Sequence, residues 1–208
     1  MESVFFKPWI GKNYSKKQSV FDKKILILGE SHYCKSRKSC PKCNIEVCPK
    51  EKEFTKNVVN SFLDYQDGKG EKPKNNVTYV KLTNLICPEK SSIRDFWDSI
   101  VFYNFIQNAN RKVGERPCGE DIEKSVEPFF EVIKEVKPDR IIVCGHMLWE
   151  WLPKDNWLSK QENLIRANGH KELVGAYKIG RREIKCLRML HPSRTKYEYI
   201  TIIKKFLK

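Results

Sequence analysis

Lys24-Ile-Leu-Ile-Leu-Gly-Glu-Ser-His-Tyr33 holds four consecutive apolar residues, Ile25 to Leu28, between Lys23-Lys24 and Gly29. A run this short is not a helix. It reads as a strand buried on both faces. Gly29 lets the chain turn sharply, and Glu30, Ser31, His32 and Tyr33 follow with four side chains able to do chemistry. In an open parallel sheet, ligands bind beyond the carboxyl ends of the strands. The fold therefore turns on whether other strands end in the same way.

Three other segments are expected to. Val77-Thr-Tyr-Val-Lys-Leu82 is β-rich and leads into Thr83 and Asn84. Arg140-Ile-Ile-Val-Cys144 is a second doubly buried run, followed by Gly145 and His146. Ile184-Lys-Cys-Leu-Arg-Met-Leu190 is followed by His191-Pro192-Ser193. Three of the chain's four histidines (His32, His146 and His191) thus stand just past a predicted strand. With parallel strands these exits share one rim. A loop histidine is the plain alternative for any one of them; the clustering with Asn84 and Glu30 argues for a shared site.

Helices are expected between the strands. Glu51 to Tyr65 would bury Phe54, Val58, Val59, Phe62 and Leu63. A second would run from a cap at Ser91 or Ser92 to about Ala109, and a third from Asp121 to Val136. Gly145 to Leu152 would be short, and Thr195 to Lys208 would close the chain. Asn156 to Gly180 reads as irregular. Alternating strands and helices imply an α/β fold, a three-layer α/β/α sandwich around a central, mainly parallel four-stranded sheet. The expected organisation is one domain over 1–208 with a small cysteine-rich insertion at about 34–50.

The totals fit that reading. The 208 residues suit one sizeable domain, and 40% hydrophobic with 32% charged residues suits a globular one. No apolar run reaches membrane-span length, and the first residues lack a signal-peptide pattern, so a cytoplasmic location and no membrane partner are expected. A monomer is the default. The net charge of +14 points to DNA or another nucleic acid, whose phosphates release counterions on binding. Scattered lysine pairs also fit simple solubility. Arg111, Lys112, Arg116, Arg194 and Lys196 are the cations placed for a DNA-binding face.

Four of the eight cysteines, Cys34, Cys40, Cys43 and Cys48, crowd into fifteen residues. Cys40-Pro-Lys-Cys43 has the spacing of a metal knuckle, and Cys34 and Cys48 complete four thiolates, the set of a closed tetrahedral zinc site. An iron–sulfur cluster and four free thiols are the alternatives. Lys35, Arg37, Lys38 and Lys42 would offset the thiolate charge.

Four motifs, in order, resemble those of the uracil-DNA glycosylase superfamily. Gly29-Glu-Ser-His-Tyr33 resembles the first motif, written GQDPYH in the best-known class and GEAPG in the iron–sulfur class. Leu82-Thr-Asn84-Leu-Ile-Cys87-Pro88 resembles the second-strand segment of the iron–sulfur class. Ile141-Ile-Val-Cys-Gly145 resembles the third strand, and Leu190-His191-Pro-Ser193 the HPS motif before the closing helix. The resemblance implies a DNA N-glycosylase that flips a base out of DNA and hydrolyses its glycosidic bond, in repair or in defence. It implies His191 as donor to the departing base, Asn84 as reader of the pyrimidine edge, Tyr33 as the guarding aromatic and Phe54 as the stacking ring. Glu30 would orient water, with His32 as the other candidate, and Ser193 and His146 would complete the pocket.

The chain departs from the family at defined places. Ser31 stands where the best-known class has its water-activating Asp, and His32 replaces the usual Pro. After the HPS motif the apolar wedge is replaced by Arg194, Lys196 and Tyr197. Two other functions fit the residues: a binding module that reads a base or nucleotide without cleaving it, and a zinc-stabilised interaction protein.

Overall fold

The computed structural model describes residues 1–33, 52–87, 91–110, 116–158, 163–167 and 169–208. Nine strands are defined among them: β1 Trp9–Ile10, β2 Ile25–Gly29, β3 His32–Tyr33, β4 Ile100–Asn104, β5 Ala109–Asn110, β6 Arg140–Cys144, β7 Asn163–Ala167, β8 His170–Ile179 and β9 Arg182–Met189. The helices are α1 Phe54–Gln66, α2 Asn76–Ile86, α3 Ile93–Asp98, α4 Gly119–Lys124, α5 Val126–Val136, α6 His146–Trp151 and α7 Tyr199–Leu207, with a 3₁₀ turn at Pro192–Arg194. No described helix is long and apolar enough to cross a membrane.

Seven strands form one mixed sheet in the order β1-β4-β2-β6-β9-β8-β7, and β3 and β5 pair separately. Its middle is parallel: β2 pairs with β4 and with β6, and β6 pairs with β9. The edges are antiparallel, with β1 on β4 and the β7–β8–β9 meander on the other side. The fold is α/β, as the alternation of elements predicts, with three strands more than the predicted four.

Side-chain alternation divides the core into two layers. Ile25, Ile27, Ile100, Phe102, Ile142, Leu187 and Met189 face α1, α2, α3 and α7. Leu26, Leu28, Val101, Tyr103, Ile141, Val143 and Cys186 face α5 and α6. Strands β2 and β4 are buried along their whole length, as expected for parallel strands covered on both faces.

Three predicted elements are corrected. Val77–Leu82 is not a strand; it lies in α2, where Tyr79, Leu82, Thr83 and Ile86 recur at helical spacing on the buried face. Val77, Thr78 and Val80 gave the stretch a β-rich look, and tertiary packing overrides that local propensity. The predicted helix from Ser92 to Ala109 stops at Asp98. Its cap is as expected, with the Ser92 hydroxyl accepting from Asp95 N at 3.0 Å. The next residues, Ile100–Asn104, are the true second parallel strand. Finally, Asn156–Gly180 is not irregular, since it supplies β7 and β8. Gly175 interrupts the apolar pattern of β8 because the Trp157 indole lies where its Cβ would be, at 2.0 Å.

Candidate functional site

The four parallel strands end on one edge. Gly29 pairs with Asn104, Leu28 with Val143 and Cys144 with Met189, so β4, β2, β6 and β9 run out at nearly the same level. Asn104, Glu30, His146 and His191 follow one another along this rim. Of the predicted site residues, Glu30, His146 and His191 follow strands as expected, whereas His32, beyond β2, lies within the short strand β3. Asn84 follows no strand. It is an exposed residue of α2, lining a groove of about 250 Å³ with Asn76, Val77, Val80, Lys81 and Tyr197.

Asn104 takes the strand exit that the sequence reading gave to Asn84. Its side chain is buried, and its Oδ1 lies 2.1 Å from where a Cβ on Gly29 would stand, so only glycine fits at that position. Its Nδ2 lies 3.2 Å from each ring nitrogen of His32, whose Nε2 is 2.8 Å from the Thr55 hydroxyl. His32 and Thr55 are buried too. Burial holds the His32 pKa down at about 3, so the ring is neutral. The network is satisfied when Nδ1 accepts from Asn104 and Nε2 donates to Thr55. Phe6 and Phe54 meet the imidazole edge-on at 4.9 and 4.7 Å. His32 is thus enclosed as a joint between β3, β4 and α1. Phe54 stays partly exposed beside it, and Tyr33, half-buried, pairs in β3 with Asn110 of β5.

Glu30 is half-buried next to this network. Desolvation raises its carboxyl pKa, against a partial opposing pull from Arg116. Pairing of β2 with the chain after β4 continues past the sheet, Ile106 N donating to Glu30 O at 2.9 Å, which fixes the backbone there.

His191 begins the 3₁₀ turn. Its Nδ1 accepts from Ser193 N at 3.3 Å and lies 2.8 Å from Ser193 Oγ. A backbone N–H only donates, so Nδ1 is the unprotonated nitrogen and Nε2 carries the hydrogen of the neutral ring. Desolvation and then the Arg194 charge lower its pKa, which favours that neutral form. Arg116 and Arg194 are exposed cations whose charges act on Glu30 and His191; Lys196 is exposed beyond them.

His146 is tied from behind. Its Nε2 is 3.0 Å from Oε1 of Glu172, a carboxylate fully buried on β8. Glu172 also accepts from Arg188 Nε at 2.9 Å and from Tyr199 OH at 2.7 Å. This buried network was not foreseen, because Glu172 sits in the stretch read as irregular. Locally Glu172 follows His170-Lys171 and precedes Leu173-Val174, so no sequence signal marks it as buried.

Arg111, Lys112 and the four clustered cysteines, Cys34, Cys40, Cys43 and Cys48, lie outside the described residues. Among the described residues no group of three or more metal-ligating side chains occurs. A second cavity, of about 220 Å³ around Ser15, Lys24 and Asp139, lies at the amino ends of the strands, away from the rim. No family model matches the chain, and no curated protein matches it.

Proposed function

We propose that the chain is a DNA glycosylase-like enzyme of the uracil-DNA glycosylase kind, acting on a modified or deaminated base flipped into the strand-end rim. The observation that carries this reading is the pairing, on one rim, of a neutral imidazole donor at His191 with a half-buried carboxylate at Glu30. Strand β6 stands between them, so two strand spacings, roughly 10 Å, separate their backbones and leave room for a nucleoside. Glu30 takes a proton from water as its oxygen attacks C1′. The C1′–N bond breaks with its electron pair passing to the base, and His191 Nε2–H donates to the base oxygen where that charge gathers. Asn104, at the second strand's exit, replaces Asn84 as the residue that reads the base edge. In that role the amide that contacts His32 would also have to meet the base edge.

The commitment of Asn104 to His32 favours a second reading, a module that binds a base without cleaving it. One experiment separates the two: oligonucleotides carrying a panel of modified bases are incubated with the protein and probed for alkali-labile abasic sites. Cleavage of at least one substrate is expected. His191→Ala should lower the rate roughly 10²–10³-fold. Asn104→Asp should change which base is released, because a donor becomes an acceptor at constant size. Binding without abasic sites across the panel would leave the binding module.

A further inference from the structure

Helix α2 buries Tyr79, Leu82, Thr83, Leu85 and Ile86, yet its outer face carries Val77, which is 66% exposed. Across a groove from Val77 and Val80 stands Tyr197, 60% exposed. Lone exposed apolar residues are ordinary, whereas Val77, Val80 and Tyr197 line one concavity together. Polar ends frame the groove, with Asn84 and Lys81 on the helix. Lys81 Nζ donates to Ser193 O at 3.2 Å, so the groove abuts the His191–Ser193 turn. Of the segment opposite, Tyr197 lines the groove, and Arg194, Lys196 and Glu198 are its near neighbours in sequence.

We propose that this groove is a second subsite, which takes one unpaired base of a single-stranded nucleic acid flanking the base held at the rim. The proposal rests on the nucleic-acid reading above and extends it to strandedness. An aromatic ring stacks any base, the valines cover the base's other apolar edges, and Lys81, Arg194 and Lys196 match the phosphates on either side. A protein partner would need a larger apolar face than three side chains provide. The net charge of +14 also favours a polyanion over an acidic patch of modest size.

The test is fluorescence anisotropy with two labelled probes of equal length, oligothymidine and an oligomer of abasic residues with the same phosphates. The parent protein, Tyr197→Ala and Tyr197→Phe are each titrated at several salt concentrations. Tyr197→Ala is expected to weaken oligothymidine binding roughly 5–100-fold. It should leave both the salt slope and the abasic affinity unchanged, and Tyr197→Phe should bind as the parent does. Equal losses on both probes, or no loss, overturn the subsite while the nucleic-acid reading stands. If neither probe binds the parent at low salt, the nucleic-acid reading fails and the subsite fails with it. A shift in sedimentation caused by Tyr197→Ala, without loss of oligothymidine binding, would make the groove a contact between copies of the chain and overturn the proposal. Tyr197 is exposed, so its replacement leaves the core intact, and circular dichroism checks that.

Discussion

Glu30 carries its charge at a cost. Because desolvation raises its pKa, ionising it is harder in the folded chain than in the unfolded one. Above the folded pKa this penalty is complete, and below the unfolded value both states are protonated and it vanishes. Glu30→Gln should therefore raise the melting temperature at about pH 7, with a gain that shrinks as pH falls toward the ordinary carboxylate pKa of about 4.3. Thermal unfolding of both proteins across pH checks this; a neutral-pH loss would mean the carboxylate makes bonds that outweigh its burial. Glu30 and His146 were legible because each follows a short apolar run and a glycine, and His191 because it stands between the strand-like stretch 184–190 and Pro192. Asn104 was not. Nothing local separates Ile100–Asn104 from the end of an amphipathic helix, and only the Gly29 contact, seventy-odd residues away in sequence, reveals its place.

At the scale of elements, the two doubly buried runs of β2 and β6 were plain, whereas α2 and β4 were exchanged in type. Their residues satisfy both periods over short windows, and the neighbouring strands decide between them. The β8–β9 hairpin shows the same dependence. Ala at 175 would collide with the Trp157 indole, which packs on Tyr177 at 4.8 Å and on Trp149 at 5.3 Å. Gly175→Ala should cost about 1–3 kcal/mol, the usual range for overpacking a full site. Denaturant unfolding measures the loss, and a shift in tryptophan emission should accompany it. An unchanged midpoint would show that the indole moves aside freely.

For the whole molecule, the charge of +14 predicts a steep salt dependence. If the strand-end face meets nucleic acid through Arg116, Arg194 and Lys196, log affinity should fall with log salt by about 0.7–0.9 per phosphate contacted. A flat dependence would assign the charge to solubility. The four clustered cysteines predict one zinc per chain by elemental analysis of protein purified without added metal. Among the other cysteines only Cys118 is exposed, and burial pushes the Cys144 thiol up to about 12. A chelator should thus release four newly reactive thiols over that low background. Neither zinc nor iron, with all four thiols reactive from the start, would refute the metal site. The compositional facts were readable at once, because net charge and ligand spacing need no tertiary contact to be counted.

The register of β2 also bears on how the chain reaches this state. Ile25 must find both Ile100 and Arg140, partners distant in sequence, whereas β8 meets β9 across the short turn at Gly180. The hairpin closes a small loop and can form in microseconds; the parallel centre has to close two large ones before any burial repays them. Refolding should accordingly show early protection of β8–β9 amides and late protection of β2. The rim, which needs β2, β4, β6 and β9 together, is then the last part of the molecule to exist, and its appearance marks the completed fold.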